Sequence, residues 1–359
     1  MLSVARRAAL RRGILAWYDL NARALPWRVG PEARAAGVRP DPYRVWLSEI
    51  MLQQTTVPHA TPYFLAFVRR WPTVADLARA EDAEVMGAWA GLGYYARARN
   101  LLTCARKVAA EMGGRFPQTQ AALAELPGVG PYTAAAITAI AFDRAANVVD
   151  GNVERVVARL FASEAPLPAG QPELRRLAGL LAGPERPGDW AQALMDLGAM
   201  VCSPTAPDCG RCPAAADCRA LAAGAPGRYP LRAPRPERPL RHGAAFVLTR
   251  GADVALVRRP PRGLLGGMLG LPTSPWRPAP LAKAEVLAAA PVAAPWVQTA
   301  EVRHVFTHFA LELSVFRAEG DWPDALWTPR EGLSALPSVF LKAARAALAL
   351  PPQDRRRRA

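Results

Sequence analysis

Leu126-Pro127-Gly128-Val129-Gly130-Pro131 interrupts two runs of residues that repeat with helical spacing. Two glycines within three residues permit a left-handed backbone and close approach, and Pro131 suits the first turn of a following helix. N–H groups exposed at such a helix start form an anion site, for which a phosphate is the natural occupant. Gly128 and Gly130 are therefore candidate phosphate contacts, although many helix–turn–helix connections use glycine for the turn alone.

Helical patterning extends to both sides of this hairpin. Apolar residues recur at three- and four-residue spacing over 45–55, 85–89, 96–112, 119–126, 132–142, 153–161 and 190–201, with Pro, Gly and Asp in the gaps. Nothing between them alternates with period two, so residues 1–221 are expected to be all-α. Between 222 and 242 proline and arginine alternate, from Pro226 and Arg228 to Pro239 and Arg241. Proline at that density forbids helix and predicts a semi-rigid, extended basic linker. Beyond it, 244–249 and 254–258 flank the turn Arg250-Gly251-Ala252-Asp253, a hairpin signal. Two more strands are expected at 297–305 and 309–316, and a closing helix at 340–348. The fold class is thus multidomain: an all-α domain over 1–221, a linker over 222–242, a smaller α+β domain over 243–350 and a basic tail over 351–359 that includes Arg355 to Arg358.

The chain has 359 residues, 51% of them apolar, and a formal charge of +15. A field of that sign favours polyanions, with nucleic acid or an anionic membrane surface as the usual partners and a solvated basic surface as the plainer reading. No apolar stretch approaches the ~20 residues of a membrane span. Residues 134–142, interrupted by Thr138, suit a buried helix instead. The acid-free start, with Arg6, Arg7, Arg11 and Arg12, has some features of a transit peptide, but reads better as a basic amphipathic helix against phosphate. The expected location is cytoplasmic, in a reducing compartment where five cysteines do not form a disulfide framework.

Four of those cysteines, Cys202, Cys209, Cys212 and Cys218, follow the spacing C-x6-C-x2-C-x5-C. Thiolates so close in sequence wrap one metal centre with little loop-closure cost. Zinc sites usually pair two C-x2-C knuckles, and only one is present. A [4Fe–4S] cubane fits the quartet better, with zinc as the alternative. Such a cluster would order a loop that presents Arg211 and Arg219 to phosphate. Cys104 stands apart and reads as a small core residue.

A glycine hairpin followed by that quartet resembles the helix–hairpin–helix superfamily of DNA glycosylases typified by endonuclease III. Within it, Leu25-Pro26-Trp27-Arg28, residues 48–55 (Ser-Glu-Ile-Met-Leu-Gln-Gln-Thr), Gly91-Leu92-Gly93-Tyr94-Tyr95 and Val149-Asp150-Gly151-Asn152-Val153 look like the MutY-type adenine DNA glycosylases. The resemblance covers about residues 8–221 and continues more weakly beyond. It implies a six-helix barrel module plus an iron–sulfur module, a [4Fe–4S] cluster, and a monomer acting on chromosomal DNA. Its substrate would be double-stranded DNA in which adenine is mispaired with 8-oxoguanine or guanine.

Bifunctional members of the superfamily carry an imine-forming lysine just after the hairpin. Tyr132 stands there and cannot form the imine, which implies a monofunctional enzyme that leaves an abasic site. Adenine leaves as positive charge builds on the sugar, so the reaction needs an acid at the base and an anion at the sugar. The family pattern assigns these roles to Glu49 and Asp150, with Tyr132 positioning. Glu49 has Val45, Trp46, Leu52 and Gln53 as helical neighbours, so its pKa is expected to rise towards about 6, unless it lies on an exposed helix face. Asp150 also reads as an N-cap, and capping is compatible with facing a sugar.

By the same resemblance, Arg23, Leu25, Trp27, Arg28, Leu52 and Val57 line the adenine pocket. Gln54 and Tyr94 fill the space left in the stack, with Thr55 and Leu92 beside the opposite base. Leu92, Tyr94 and Trp27 read equally well as core. The C-terminal domain resembles a Nudix-like module that recognises 8-oxoguanine, and Phe306-Thr307-His308 matches its Phe-Ser-His loop. Residues 263–272 lack the aromatic-acidic pair usual in the corresponding family stretch. No glutamate-rich Nudix box is present, so no pyrophosphatase activity is expected. Two rivals remain: an endonuclease III-like glycosylase for oxidised pyrimidines, and a non-catalytic iron–sulfur DNA-binding protein.

Overall fold

The computed structural model describes residues 2–234, 237–260, 263–306 and 308–350, and divides into two compact units, Met1–Pro234 and Arg235–Ala359. The described residues of the first unit are helical, with no named strand. In chain order they form α1 (Val4–Asn21), α2 (Pro31–Ala35), α3 (Pro42–Leu52), α4 (Val57–Arg70), α5 (Val74–Arg79) and α6 (Asp82–Ala88). Then follow α7 (Ala96–Met112), α8 (Gln120–Ala124), α9 (Pro131–Phe142) and α10 (Gly151–Phe161). Helices α11 (Gln171–Leu181), α12 (Pro187–Met200) and α13 (Arg219–Ala222) complete the unit.

Helix α9 lies at the centre because its sequence is apolar on every side. Thr133 through Ala141 are all buried, and the five alanines among them let neighbours approach closely. Helices α3, α8 and α12 pack directly on it. Consequently the N-terminus of α9, the middle of α3, the start of α10 and the body of α12 converge on one region. Thr119 caps α8, accepting from Ala122 N, and Gly128 makes the hairpin turn at φ +76°. A Cβ there would lie 2.8 Å from Asn100 Cβ. Gly130, expected to need the same freedom, is instead the extended N-cap of α9 at φ −83°, with open space beside it.

Two other expectations shift. The helical pattern over 45–55 stops at Leu52, because Gln54 turns left-handed at φ +60°. Within the segment expected as linker over 222–242, residues 229–233 pack against the first unit. Tyr229 is buried, its carbonyl accepts from Arg159 Nε at 3.0 Å, and its hydroxyl donates to Glu164 Oε1 at 2.6 Å. Leu167 N donates to Leu231 O at 2.8 Å, and Ala233 N donates back to Leu167 O at 2.9 Å. The extended geometry that proline imposes serves here as backbone pairing, and Tyr229 and Leu231 supply apolar anchors between the prolines. The first unit therefore runs to Pro234 rather than 221.

In the second unit the strands are β1 (Leu240–Arg250), β2 (Asp253–Arg258), β3 (Leu269–Gly270), β4 (Val297–Val305), β5 (Ala310–Glu319) and β6 (Leu326–Pro329). They build a mixed sheet of order β3-β2-β1-β5-β4, with β6 pairing β2 and with β1 and β5 parallel. Helices α14 (Lys283–Ala288) and α15 (Ser338–Leu348) accompany it. Ala245 and Val247 join Phe340 and Ala344 of α15 in one core, while Ala244 and Phe246 join Val286 and Phe316 in another. Both sheet faces are thus covered, so β1 reads as a continuous apolar run instead of alternating. Among the described residues no helix is long and apolar enough to cross a membrane.

Candidate active site

Glu49 sits on α3, whose first turn is set by Pro42 at N1 and by Asp41, which accepts from Tyr43 N at 2.9 Å. The glutamate is only 8% exposed. Burial raises its pKa from 4.5 to about 7. A hydrogen bond from Tyr132 opposes the rise, the charge of Asp150 adds to it, and Arg28 opposes it. Tyr132 stands in the first turn of α9, and its own pKa lies well above the ordinary value, through burial first and then through Glu49 and Asp150. Asp150 is the N-cap of α10: Oδ1 accepts from Val153 N at 2.7 Å and Oδ2 from Asn152 Nδ2 at 2.8 Å. Capping and facing the cavity are compatible, as the sequence allows.

Glu49, Tyr132 and Asp150 line a single cavity of about 940 Å³, including its mouth. Arg23, Leu25, Trp27, Arg28, Leu52, Val57 and Thr55 share its wall. Trp27 is held edge-on against Phe64 at 5.2 Å. Gln54 and Tyr94 both adopt positive φ, and Tyr94 is 57% exposed, so its ring is available to a partner. Leu92, at 5% exposed, belongs to the core, the second of the two readings its sequence offers. Of the three residues expected to read the opposite base, Phe306 packs on Trp276, His304 and Phe309, while His308 is exposed. Thr307 lies outside the described residues.

Sequence reading missed several groups that the fold brings to this cavity. Asp196 is fully buried on α12 and clamps the pocket wall, accepting from Arg23 N at 3.0 Å, from Arg23 Nε at 2.6 Å and from Arg28 Nη1 at 2.9 and 2.8 Å. Such buried, multiply bonded pairs fix geometry more than they stabilise. One turn earlier, Gln192 is 1% exposed; its Nε2 donates to Gly188 O, and its Oε1, on the cavity wall, is buried with no partner among the described residues. The apolar context of residues 190–201 hides both from a periodicity argument.

A polar chain runs from Asp150 along α10. Asn152 Oδ1 accepts from Arg155 Nη2 at 2.8 Å, and Arg155 Nε donates to Cys202 O at 2.7 Å. Cys202, Cys209, Cys212 and Cys218 line a second cavity of about 290 Å³, including its mouth, together with Arg159. Arg159 is 2% exposed, and its Nη1 donates to Cys202 Sγ at 3.3 Å and to Ser203 O at 2.7 Å. Among the described residues no three His, Cys, Asp or Glu side chains converge at single-ion spacing. Helix α1 docks beside this loop, where Arg6 pairs with Asp217.

Residues 47–177 match the HhH-GPD superfamily of base excision DNA repair proteins, and residues 244–349 match the NUDIX domain. The chain is similar to the adenine DNA glycosylase of Homo sapiens, 38% identical over 89% of this chain and 69% of that protein. It is 36% identical to the adenine DNA glycosylase of Rattus norvegicus, over 91% of this chain and 74% of that one. Among solved structures it resembles a thermostable thymine-DNA glycosylase, with a TM-score of 0.53 and 30% identity over 60% of this chain and 97% of the other.

Proposed function

This chain belongs to the adenine DNA glycosylases of base excision repair, and from that premise we propose that it hydrolyses adenine mispaired with 8-oxoguanine or guanine, using Glu49 as acid and Asp150 as the anion at the sugar. The observation that carries this reading is a buried carboxyl, raised to about 7, in one cavity with a second, capped carboxylate. The target nucleotide leaves the duplex and enters the cavity. Protonated Glu49 delivers its proton to N7 of adenine, and the base departs as a neutral leaving group. Asp150 stabilises the cationic sugar, and Glu49, now ionised and still bonded to the Tyr132 hydroxyl, activates the incoming water. Tyr132 offers no amine, so no imine forms and the strand stays intact.

Gln192 gives the cavity a preference for a base that bears an exocyclic amine. A buried, unpartnered amide oxygen accepts from the exocyclic amine of adenine and loses that bond to a base lacking one. The second unit reads the opposite base through Phe306 and His308, together with Thr307.

Four thiols spread around a volume instead of a point fit a cubane better than one tetrahedral ion. Cys202, Cys209, Cys212 and Cys218 would hold a [4Fe–4S] cluster, with Arg159 donating to a ligand sulfur. The cluster's contribution is to order the 202–218 loop. This chain's residues then carry the effect onward, since Arg155 ties the Cys202 carbonyl to Asn152 and so to Asp150.

A panel of duplexes bearing 8-oxoguanine:adenine, guanine:adenine, thymine:adenine and an oxidised pyrimidine tests the proposal. Purified holoenzyme, acting as a monomer, should yield alkali-labile sites on the first two. Cleavage confined to the oxidised pyrimidine, or strand scission before alkali, overturns it.

A further inference from the structure

Helix α3 ends at Leu52, and the carbonyls of its last turn have no intrahelical partner. Arg97, in the first turn of α7, takes them. Its Nη1 donates to the carbonyls of Ile50 and Met51 at 3.0 Å each, and to that of Gln53. Its Nη2 donates to Leu92 O at 3.1 Å, Gly93 O at 3.2 Å and Thr55 Oγ1 at 3.3 Å. The guanidinium also lies 5.3 Å from the Trp89 ring and 5.6 Å from the Tyr94 ring. One buried cation therefore joins residues 50–55 to residues 92–94.

Each of those segments carries an exposed, non-glycine residue in the left-handed region: Gln54 at φ +60° and Tyr94 at φ +49°. Such conformations persist only where the surroundings over-determine them. His59 Nε2 on Gly91 O, the Tyr63 hydroxyl on Ala90 O and Trp89 Nε1 on Gly93 O hold the second segment. Those three contacts reach none of the carbonyls at 50–53. The four N–H groups of Nη1 and Nη2 span six acceptors across this planar fork, while Nε is buried with no partner among the described residues; a lysine has three donors on one nitrogen.

We propose that Arg97 is a positioning residue that fixes the two loop tips, Gln54 and Tyr94, at the spacing needed to hold the DNA stack open while adenine occupies the cavity. This rests on the reading of Glu49 and Asp150 given above, but concerns extrusion and not bond cleavage. Arg97 touches neither the base nor the sugar.

The test uses full-length holoenzyme with Arg97→Lys and Arg97→Gln. Extrusion is followed by stopped-flow fluorescence of 2-aminopurine placed beside the target adenine of an 8-oxoguanine:adenine duplex, and release by single-turnover assay. A misplacement of an ångström caused by a change far from the chemistry costs on the order of 100-fold. The expected result is a loss of that order in extrusion and release together, in Arg97→Lys protein that keeps its visible cluster absorption and binds duplex. The pH of the alkaline limb should stay where wild type has it, because Glu49 is undisturbed. Wild-type extrusion in either variant overturns the proposal. So does joint loss of cluster and duplex binding in both, which would make Arg97 a residue of the fold only. Failure of wild type itself to release adenine refutes the active-site reading instead.

Discussion

Replacing Glu49 with Gln should make the protein more stable, by an amount that builds as pH rises from about 4.5 to about 7 and is constant above. Burial holds the carboxyl at about 7 against 4.5 for a free group. At roughly 1.36 kcal/mol per pKa unit, that gap corresponds to about 3 kcal/mol. The sign follows from proton counting. Between 4.5 and 7 the folded chain holds a proton that the unfolded chain has released, so stability falls as pH rises through this window. The favourable contribution is complete below 4.5 and gone above 7. A glutamine fills the same space and carries no charge at any pH. Paired thermal melts of wild type and Glu49→Gln, from about pH 5 to about pH 8.5, should therefore show a difference that grows by about 2–3 kcal/mol in favour of the variant. Comparing the pair at each pH cancels effects common to both, such as loss of the cluster. A difference that stays flat with pH, or favours wild type at high pH, would refute the claim that Glu49 is protonated because it is desolvated.

Other perturbations separate the parts of the site. Tyr132→Phe removes the hydrogen bond that lowers the Glu49 pKa, so the alkaline limb of the single-turnover rate should move above pH 7; an unmoved limb argues against that bond. Gln192→Leu deletes the amide acceptor, and should cut the preference for adenine over unsubstituted purine by roughly tenfold, read as a ratio of kcat/KM. Arg155→Gln breaks the chain between Asp150 and Cys202, and should lower kcat at nearly constant KM while the visible absorption bleaches faster; unchanged kcat would show that the chain carries no load.

Legibility in the sequence followed the range of each interaction. Helices α7 and α10 are readable because their cores are local repeats, α9 because it is a nearly unbroken apolar run, and β1 and β2 because a two-residue turn joins them. Glu49, Tyr132 and Asp150 were named from motifs, and the fold brings them to one cavity although 101 positions separate the two acids. Residues whose meaning depends on distant carbonyls stayed hidden. Arg97 looks like one more arginine in a basic helix until the end of α3 is placed against it. Asp196 looks like a solvated helix residue until Arg23 and Arg28 arrive from more than 160 positions away. The 222–242 segment misled for the converse reason: proline fixes extended backbone, and extended backbone is free to pair with Leu167.

The most direct measurement of the central claim counts free adenine. An 8-oxoguanine:adenine duplex is incubated with wild-type and Glu49→Gln holoenzyme, the released base is quantified by mass spectrometry, and duplex binding is measured in parallel. Wild type should release one adenine per duplex and leave both strands whole, whereas the variant binds as tightly and releases none. Adenine appearing at the wild-type rate from the variant would contradict the account.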